Sequence, residues 1–179
     1  ETDRVSLLIA TRARRLVRSG ETGRVTAVTA DSPGGSITIE GRAGIVLTSG
    51  GFVHDQEMMH RCAPGYDKAL RISGEGNVGD GLRMARQLGA DFRDMAWIKG
   101  TYGKHPLDQM NNNACLPVYK GAIAVNQDGH RFVDESLSYK LIGDAALRQP
   151  DGITYQILDR DILRWATMRY GYSTSRAAS

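Results

Sequence analysis

Cysteine is scarce in this sequence, which contains two cysteines among its 179 residues. Cys62 and Cys115 lie far apart and lack the CxxC spacing of redox and zinc motifs, so the sequence suggests neither a disulfide framework nor a zinc site. Reduced thiols are typical of the cytoplasm, so we predict a cytoplasmic location. The four histidines form no HExxH or other paired ligand motif, and no metal site is predicted.

Long apolar runs and a strong excess of one charge are missing too. The longest apolar runs, such as Gly44–Leu47 and Gly121–Val125, are far shorter than the roughly 20 residues that cross a bilayer, so we predict no membrane span. The 23 Lys and Arg residues nearly balance the 20 Asp and Glu residues, which does not indicate a nucleic-acid partner. We interpret Arg12 and Arg14 as a solvated strand face rather than as a phosphate or nucleic-acid site.

An initiating methionine is also missing, because the chain opens with Glu1-Thr2-Asp3-Arg4. Neither a charged leader nor an apolar signal core follows. We therefore expect the chain to be an internal piece of a longer protein. Its hydrophobic content of 41% is ordinary for a globular protein, so a sizeable core is possible.

Short runs rich in Val, Ile, Leu and Thr, separated by turn residues, predict an antiparallel meander in the first part of the chain. The predicted strands are Ser6–Thr11, Ala13–Arg18, Arg24–Ala30, Ser36–Gly41 and Ile45–Thr48, the last being the strand into which the meander leads.

Apolar periodicity and capping residues predict helices between and after further strands, which gives an α+β fold class. The predicted helices are His54–Cys62, Gly81–Leu88, Leu137–Leu147 and one that begins near Asp159. The Asp128-Gly129 turn predicts a hairpin of Ala122–Asn126 with Arg131–Val133, and Ile153–Leu158 is a further strand. The tail Ser173–Ser179 is expected to be frayed.

Two glycine motifs indicate a cofactor site. The apolar run Ile45–Thr48 breaks into Ser49-Gly50-Gly51, where a ligand can approach bare backbone. Gly79-Asp80-Gly81 lies at a helix start, where Asp80 is expected to cap free N–H groups. Although residues 74–79 spell GxGxxG, neither a good preceding strand nor an acidic residue about 20 positions later is present, so we reject a Rossmann turn here.

A third motif, Gly121-Ala-Ile-Ala-Val-Asn-Gln-Asp-Gly-His-Arg-Phe-Val-Asp-Glu135, follows the first two in order. With them, the chain from about Val5 to about Asp159 resembles the flavoproteins of the fumarate reductase and succinate dehydrogenase family, which includes the 3-ketosteroid dehydrogenases. The resemblance implies a partial FAD-binding domain at residues 1–98, lacking the N-terminal Rossmann turn, and an incomplete α+β capping (substrate) domain at residues 99–179. The boundary near Ile98 precedes the long irregular segment Gly100–Pro117.

The resemblance also implies which residues bind FAD. Asp80 of the Gly-Asp-Gly motif is the best single cofactor residue, and the backbone of Ala13 is expected beside the adenine. The other cofactor-binding residues implied are Ser49, Gly50, Gly51 and Gly79. The missing remainder of the flavin-binding domain is an expected partner, and this chain alone is expected to bind FAD weakly or not at all.

In the fumarate reductases that the chain resembles, an arginine that delivers a proton follows the third motif, and the aligned position here is Tyr139. The cap residues that grip the dicarboxylate are replaced by Lys99-Gly-Thr-Tyr and Ala114-Cys-Leu-Pro. Tyr139 instead resembles a catalytic tyrosine of the 3-ketosteroid dehydrogenases. A phenol ordinarily titrates near pH 10, so a base of this kind needs a second polar group or a local positive field. Tyr139 as a simple aromatic anchor of the following helix remains an equal alternative.

The function expected is therefore part of an FAD-dependent oxidoreductase that dehydrogenates or reduces a carbon–carbon bond of a neutral or hydrophobic small molecule, such as a ketosteroid. The alternatives are a dicarboxylate oxidoreductase of the fumarate and succinate type and a folded, non-catalytic fragment that binds no FAD alone. A nucleic-acid-binding module ranks below all of these.

Overall fold

The computed structural model describes residues 5–105 and 115–164. The chain divides into two compact units, the first formed by Glu1–Met59 and Ser73–Asp94 and the second by His60–Ile72 and Met95–Ser179. The domain boundary near Ile98 stays a prediction. The predicted frayed tail, Ser173–Ser179, and Ala114 lie outside the described residues.

The first unit contains a three-stranded antiparallel sheet in the order β1-β2-β3. Its strands are β1 (Arg12–Arg18), β2 (Val25–Ser32) and β3 (Gly35–Glu40). Leu16, Ala27 and Ala30 are buried. Leu16 pairs with Val28 and therefore shares a face of the sheet with Ala30, whereas Ala27 points to the opposite face. The meander is therefore confirmed for three of its strands.

The predicted strands Ser6–Thr11 and Ile45–Thr48 are wrong. Both segments are irregular, and no strand within the described ranges pairs with either of them. Leu7 is 83% exposed and Val46 is 84% exposed. A strand requires a neighbour that satisfies its backbone hydrogen bonds, and an apolar run alone does not supply one.

Two helices follow the three-stranded sheet along the chain. Helix α1 (Gln56–Cys62) begins after Asp55, whose Oδ1 accepts a hydrogen bond of 2.8 Å from Met58 N. Helix α2 (Asp80–Gln87) buries Gly81 and Met84 and is followed at Gly89 by a left-handed residue with φ +86°. The predicted helices at His54–Cys62 and Gly81–Leu88 are confirmed within two residues at each end.

The second unit combines a small sheet with helices. Strand β4 (Ile123–Val125) pairs antiparallel with β5 (Tyr155–Ile157). Helix α3 (Tyr139–Leu147) follows Ser138, whose Oγ accepts a 3.4 Å hydrogen bond from Leu141 N. Another helix begins at Arg160, next to the predicted start at Asp159. The core of this unit is formed by Tyr102, Val118, Ala124, Ile142 and Ala146.

The predicted hairpin of Ala122–Asn126 with Arg131–Val133 is wrong as a strand pair. Only the bridge between Val125 and Arg131 is formed, and β4 pairs with β5 instead. Asn126 Oδ1 closes the turn by accepting hydrogen bonds from Asp128 N at 3.1 Å and His130 N at 2.9 Å. Ala124 N in the middle of β4, however, donates to Glu135 Oε1 at 2.7 Å, so this amide is not available to a second strand. The tight turn is therefore present, but after it the chain does not continue alongside β4.

The mixture of helices and small antiparallel sheets confirms the α+β class. Within residues 5–105 and 115–164, no helix is both long enough and apolar enough to cross a membrane.

Candidate cofactor site

The two glycine motifs lie against each other in the first unit. Gly79 N donates a hydrogen bond of 3.0 Å to Gly51 O, and Gly51 N donates one of 2.9 Å to the side-chain oxygen of Asn77. Gly50 adopts φ +79°, a left-handed conformation that favours glycine. The structure therefore brings together Gly50, Gly51 and Gly79, which the sequence separates by almost thirty positions.

Close packing explains why three of these positions are glycine. A Cβ atom on Gly50 would lie 1.9 Å from Asn77 Oδ1, and one on Gly79 would lie 2.7 Å from Met58 Sδ. A Cβ atom on Gly81 would lie 2.1 Å from Ser49 Oγ, so Ser49 packs directly on the start of α2. These glycines let two backbone segments touch.

Gly51 differs from Gly50, Gly79 and Gly81 because the space where its Cβ atom would lie is open. A Cβ atom added there would meet no atom of the described residues within 4 Å. Glycine at this place leaves bare backbone that a flat or extended ligand can approach closely. This open backbone face leaves room for a dinucleotide to approach the turn, so the residues present are compatible with FAD.

Asp80 is the first residue of α2 and does not cap the helix, which corrects the expectation from sequence. The N-cap is Gly79, and no side-chain cap hydrogen bond is formed. The Asp80 carboxylate instead accepts hydrogen bonds from Arg12 Nε at 3.2 Å and Arg12 Nη2 at 2.8 Å. An ionised guanidinium is a stronger partner than a backbone amide, which explains this orientation.

Ala13 follows Arg12 at the beginning of β1 and pairs with Ala30 of β2. The ion pair between Arg12 and Asp80 therefore ties the strand end that carries Ala13 to the start of α2. Arg83 lies 3.7 Å from the second oxygen of Asp80 and also forms a salt bridge with Asp55. Asp80 is thus held on a positively charged side of the turn.

Sequence reasoning missed Arg12 and Asn77 as parts of this site. The arginines near residue 12 indicated only a solvated strand face, and Asn77 stood inside a rejected GxGxxG pattern. The position of Asn77 within a cluster of glycines was the one available signal, since asparagine commonly braces turns. Its bond to Gly51, 26 residues earlier, is tertiary and no local pattern indicates it.

Tyr139 lies in the second unit as the first residue of α3, and it is 43% exposed. Lys99 Nζ lies 5.9 Å from the centre of the Tyr139 ring. A cation at this distance over an aromatic ring is attracted to it and supplies a local positive field. The segment that begins at Lys99 turns inward at Tyr102, whose hydroxyl lies 2.8 Å from Thr154 Oγ1.

A polar cluster on α3 faces the 3₁₀ turn at Pro64–Tyr66. Lys140 Nζ donates hydrogen bonds of 2.6 Å to both carboxylate oxygens of Asp144 and another to Tyr66 Oη. Burial lowers the pKa of Lys140, but the hydrogen bonds to Asp144 and Tyr66 outweigh it and raise that pKa above its ordinary value. The cluster therefore keeps Lys140 charged and fastens the turn to α3.

The third motif is organised around Glu135. Arg131 Nε donates a 2.9 Å hydrogen bond to Glu135 Oε2, and Ala124 N donates one of 2.7 Å to Glu135 Oε1. The hydrogen bond from Arg131 lowers the pKa of Glu135, and the amide of Ala124 adds to this effect, while burial opposes it. Glu135 therefore connects β4 to the segment before Tyr139. In the parts of the chain that the structure describes, no cluster of His, Cys, Asp and Glu could hold a metal ion.

Comparison with known proteins gives a consistent picture. The family model for the FAD binding domain matches residues 1–163. The probable fumarate reductase Ifc3 of Shewanella frigidimarina is 29% identical over 74% of this chain and 22% of its own length. Urocanate reductase of Eggerthella lenta is 33% identical over 84% of this chain and 25% of its own length.

The crystal structure of a 3-ketosteroid-Δ4-(5α)-dehydrogenase from Rhodococcus jostii RHA1, in complex with 4-androstene-3,17-dione, superposes with a TM-score of 0.66 at 25% sequence identity. The match covers 88% of this chain and 30% of that one. The chain thus spans about a quarter of the two curated relatives.

Proposed function

The chain belongs to the FAD binding domain family, and we propose that it works as part of an FAD-dependent oxidoreductase that moves hydrogen to or from a substrate carbon–carbon bond. The contact of Gly51 with Gly79, beside Asp80, is the observation that carries this proposal. It builds one open turn from the two motifs that resemble the FAD-binding segments of such enzymes.

The residues that hold the cofactor in this proposal are those of the glycine turn and the start of β1. They are Ala13, Ser49, Gly50, Gly51, Gly79 and Asp80. Gly51 offers an open backbone face, and the Asp80 carboxylate offers an acceptor for a hydroxyl group next to it. When bound, FAD accepts or supplies a hydride, which no amino-acid side chain can do.

In this proposal, Tyr139 transfers the proton to or from the substrate. In the dehydrogenation direction the Tyr139 side-chain oxygen would take a proton from one substrate carbon, and the neighbouring carbon would give its hydride to bound FAD as the C=C bond forms. The Lys99 ammonium group lies 5.9 Å from the centre of the Tyr139 ring, so a cation stands beside the residue that transfers the proton. In the opposite direction the phenol returns the proton.

The substrate class that fits best is a neutral or hydrophobic molecule such as a ketosteroid. The cap residues that hold the dicarboxylate in the fumarate reductases that the chain resembles are replaced here by Lys99-Gly-Thr-Tyr, whose tyrosine lies in the core of the second unit. Tyr102 is almost fully buried there, so its hydroxyl cannot take that role.

A reductase of an unsaturated acid is the second candidate, and Lys99 is the observation that favours it. Its ammonium group lies beside Tyr139, and a cation next to the reacting carbon attracts a carboxylate. The names of the two curated relatives, a fumarate reductase and a urocanate reductase, agree with this candidate.

Expression of the complete reading frame tests both candidates. We expect the purified protein to carry flavin absorbance and to dehydrogenate a 3-ketosteroid with an artificial electron acceptor. Fumarate and urocanate are offered in parallel with a reduced dye as the electron donor. Absence of flavin contradicts the cofactor proposal, whereas efficient reduction of fumarate or urocanate without ketosteroid turnover contradicts the substrate proposal.

A further inference from the structure

We propose that Asn77 is the positioning residue that sets the shape of the open glycine turn and thereby its affinity for FAD. The inference rests on the proposed function, because it assigns a role within the same cofactor site. Asn77 belongs to neither of the two motifs that it joins.

Four hydrogen bonds converge on Asn77. Its side-chain oxygen accepts from Gly51 N at 2.9 Å, and its side-chain nitrogen donates to Gly74 O at 2.9 Å. Its backbone N–H also donates to Gly74 O at 3.0 Å, and its carbonyl accepts from His54 N at 3.0 Å. One residue therefore fixes the segment after Ser49 against the segment that leads to Gly79.

Only an amide of this length satisfies both side-chain bonds. The carboxamide has an acceptor and a donor in one plane, whereas a carboxylate offers acceptors alone and an apolar group offers neither. The distance of 1.9 Å between Asn77 Oδ1 and a Cβ atom on Gly50 shows how closely the amide follows the backbone. Asn77 and Gly50 therefore depend on each other.

These hydrogen bonds also determine which type of contact the turn can make with its ligand. Gly51 N is used by Asn77, and Gly51 O is used by Gly79 N, so both polar groups of Gly51 are satisfied inside the protein. The open face of Gly51 contributes close van der Waals approach rather than hydrogen-bond donors. Such contacts weaken steeply with small displacements, so the position of the turn determines the affinity.

The test uses the complete protein, freed of flavin and titrated with FAD. We expect Asn77→Ala to raise the Kd for FAD by about tenfold, since two side-chain hydrogen bonds that hold the turn are lost. Asn77→Asp keeps the acceptor for Gly51 but loses the donor to Gly74, and we expect an increase of about threefold or more. Circular dichroism establishes that each variant is folded.

Asn126→Ala is the matched control, because Asn126 braces a turn of the second unit with two similar hydrogen bonds. We expect it to leave the Kd for FAD within about twofold of the wild-type value. Amide hydrogen exchange at Gly51 supplies a readout that general destabilisation does not move selectively. We expect faster exchange at Gly51 in Asn77→Ala and no change there in Asn126→Ala.

The outcomes separate this inference from the proposed function. A wild-type protein that binds no FAD contradicts the proposed function itself. A wild-type protein that binds FAD, with folded Asn77 variants whose Kd stays within about twofold of it, contradicts the role of Asn77 alone. If Asn77→Ala does not fold, the Kd of Asn77→Asp for FAD decides whether Asn77 has the proposed role.

Discussion

Asp80 owes its orientation to Arg12, whose guanidinium makes two hydrogen bonds to one carboxylate oxygen. The other oxygen lies 3.7 Å from Arg83 and remains able to accept a further hydrogen bond. Asp94, by contrast, is an exposed residue near the end of the same unit, outside the glycine turn. The two aspartates therefore form a matched pair for substitution.

In the complete protein, we expect Asp80→Ala to weaken FAD binding by about tenfold, because a charged acceptor beside the cofactor is lost. We expect Asp94→Ala to leave the affinity within about twofold. The measurement is the dissociation constant for FAD of both folded variants. Equal constants for the two variants would remove Asp80 from the site.

Tyr139 is the residue on which the proton-transfer proposal depends. We expect Tyr139→Phe to lower kcat by roughly 10²–10⁴-fold with FAD still bound, since the ring and its contact with Lys99 remain and only the hydroxyl is lost. Tyr155→Phe is the control, because Tyr155 is an exposed tyrosine of the same unit on β5. Near-normal turnover by Tyr139→Phe would assign Tyr139 to packing.

At the scale of elements, the bond network of Glu135 joins β4 to the segment that leads into α3. The pKa of Glu135 is lowered in the folded protein, so its contribution to stability is fully present above the ordinary pKa of 4.5. This contribution is lost as the pH falls through the lowered pKa of the folded state. Acid therefore loosens the connection between β4 and α3.

We expect Glu135→Gln to lower the free energy of unfolding by about 1–2 kcal/mol at pH 7, because a hydrogen-bonded carboxylate is replaced by a neutral amide. The difference from wild type shrinks as the pH falls below 4.5 and through the lowered pKa of the folded state, where the wild-type carboxyl also becomes neutral. Denaturant unfolding of the complete protein at pH 7 and at stepwise lower pH measures this difference in the free energy of unfolding. Glu57→Gln on α1 is an exposed control, and a pH-independent difference for Glu135→Gln would contradict the expectation.

At the scale of the whole chain, the apolar segments 5–11 and 45–48 are irregular. Both leave large apolar side chains exposed, among them Leu7, Ile9 and Val46. Contiguous exposed apolar groups mark surfaces that can be covered by another segment or by a partner. The glycine turn that Asn77 braces follows the second of these segments directly.

We expect residues 1–179, purified alone, to carry little or no FAD. The glycine-rich turn that binds the pyrophosphate and the acidic partner of the ribose are not found in this sequence. Gel filtration followed by an absorbance spectrum provides the measurement. Flavin in equal molar amount with the protein would contradict this expectation and the alternative of a non-binding fragment with it.

The sequence by itself determined the family, the α+β class and most of the regular elements of the chain. Helices α1, α2 and α3 and strands β1 to β3 were predictable because their signals are local: capping residues, apolar periodicity and turn glycines. The glycine motifs of the candidate cofactor site could be identified from the sequence for the same reason, since each motif is a contiguous run of residues.

Only the tertiary structure decided how these pieces meet. β4 pairs with β5 and not with Arg131–Val133, and Ile45–Thr48 does not form a strand. Both outcomes depend on which neighbouring segment satisfies the backbone hydrogen bonds. The partnership of Asp80 with Arg12, 68 residues earlier, and that of Asn77 with Gly51 are contacts between distant parts of the chain. Local patterns carry no information on such contacts, because they form only when the folded backbone brings the two residues within hydrogen-bonding distance.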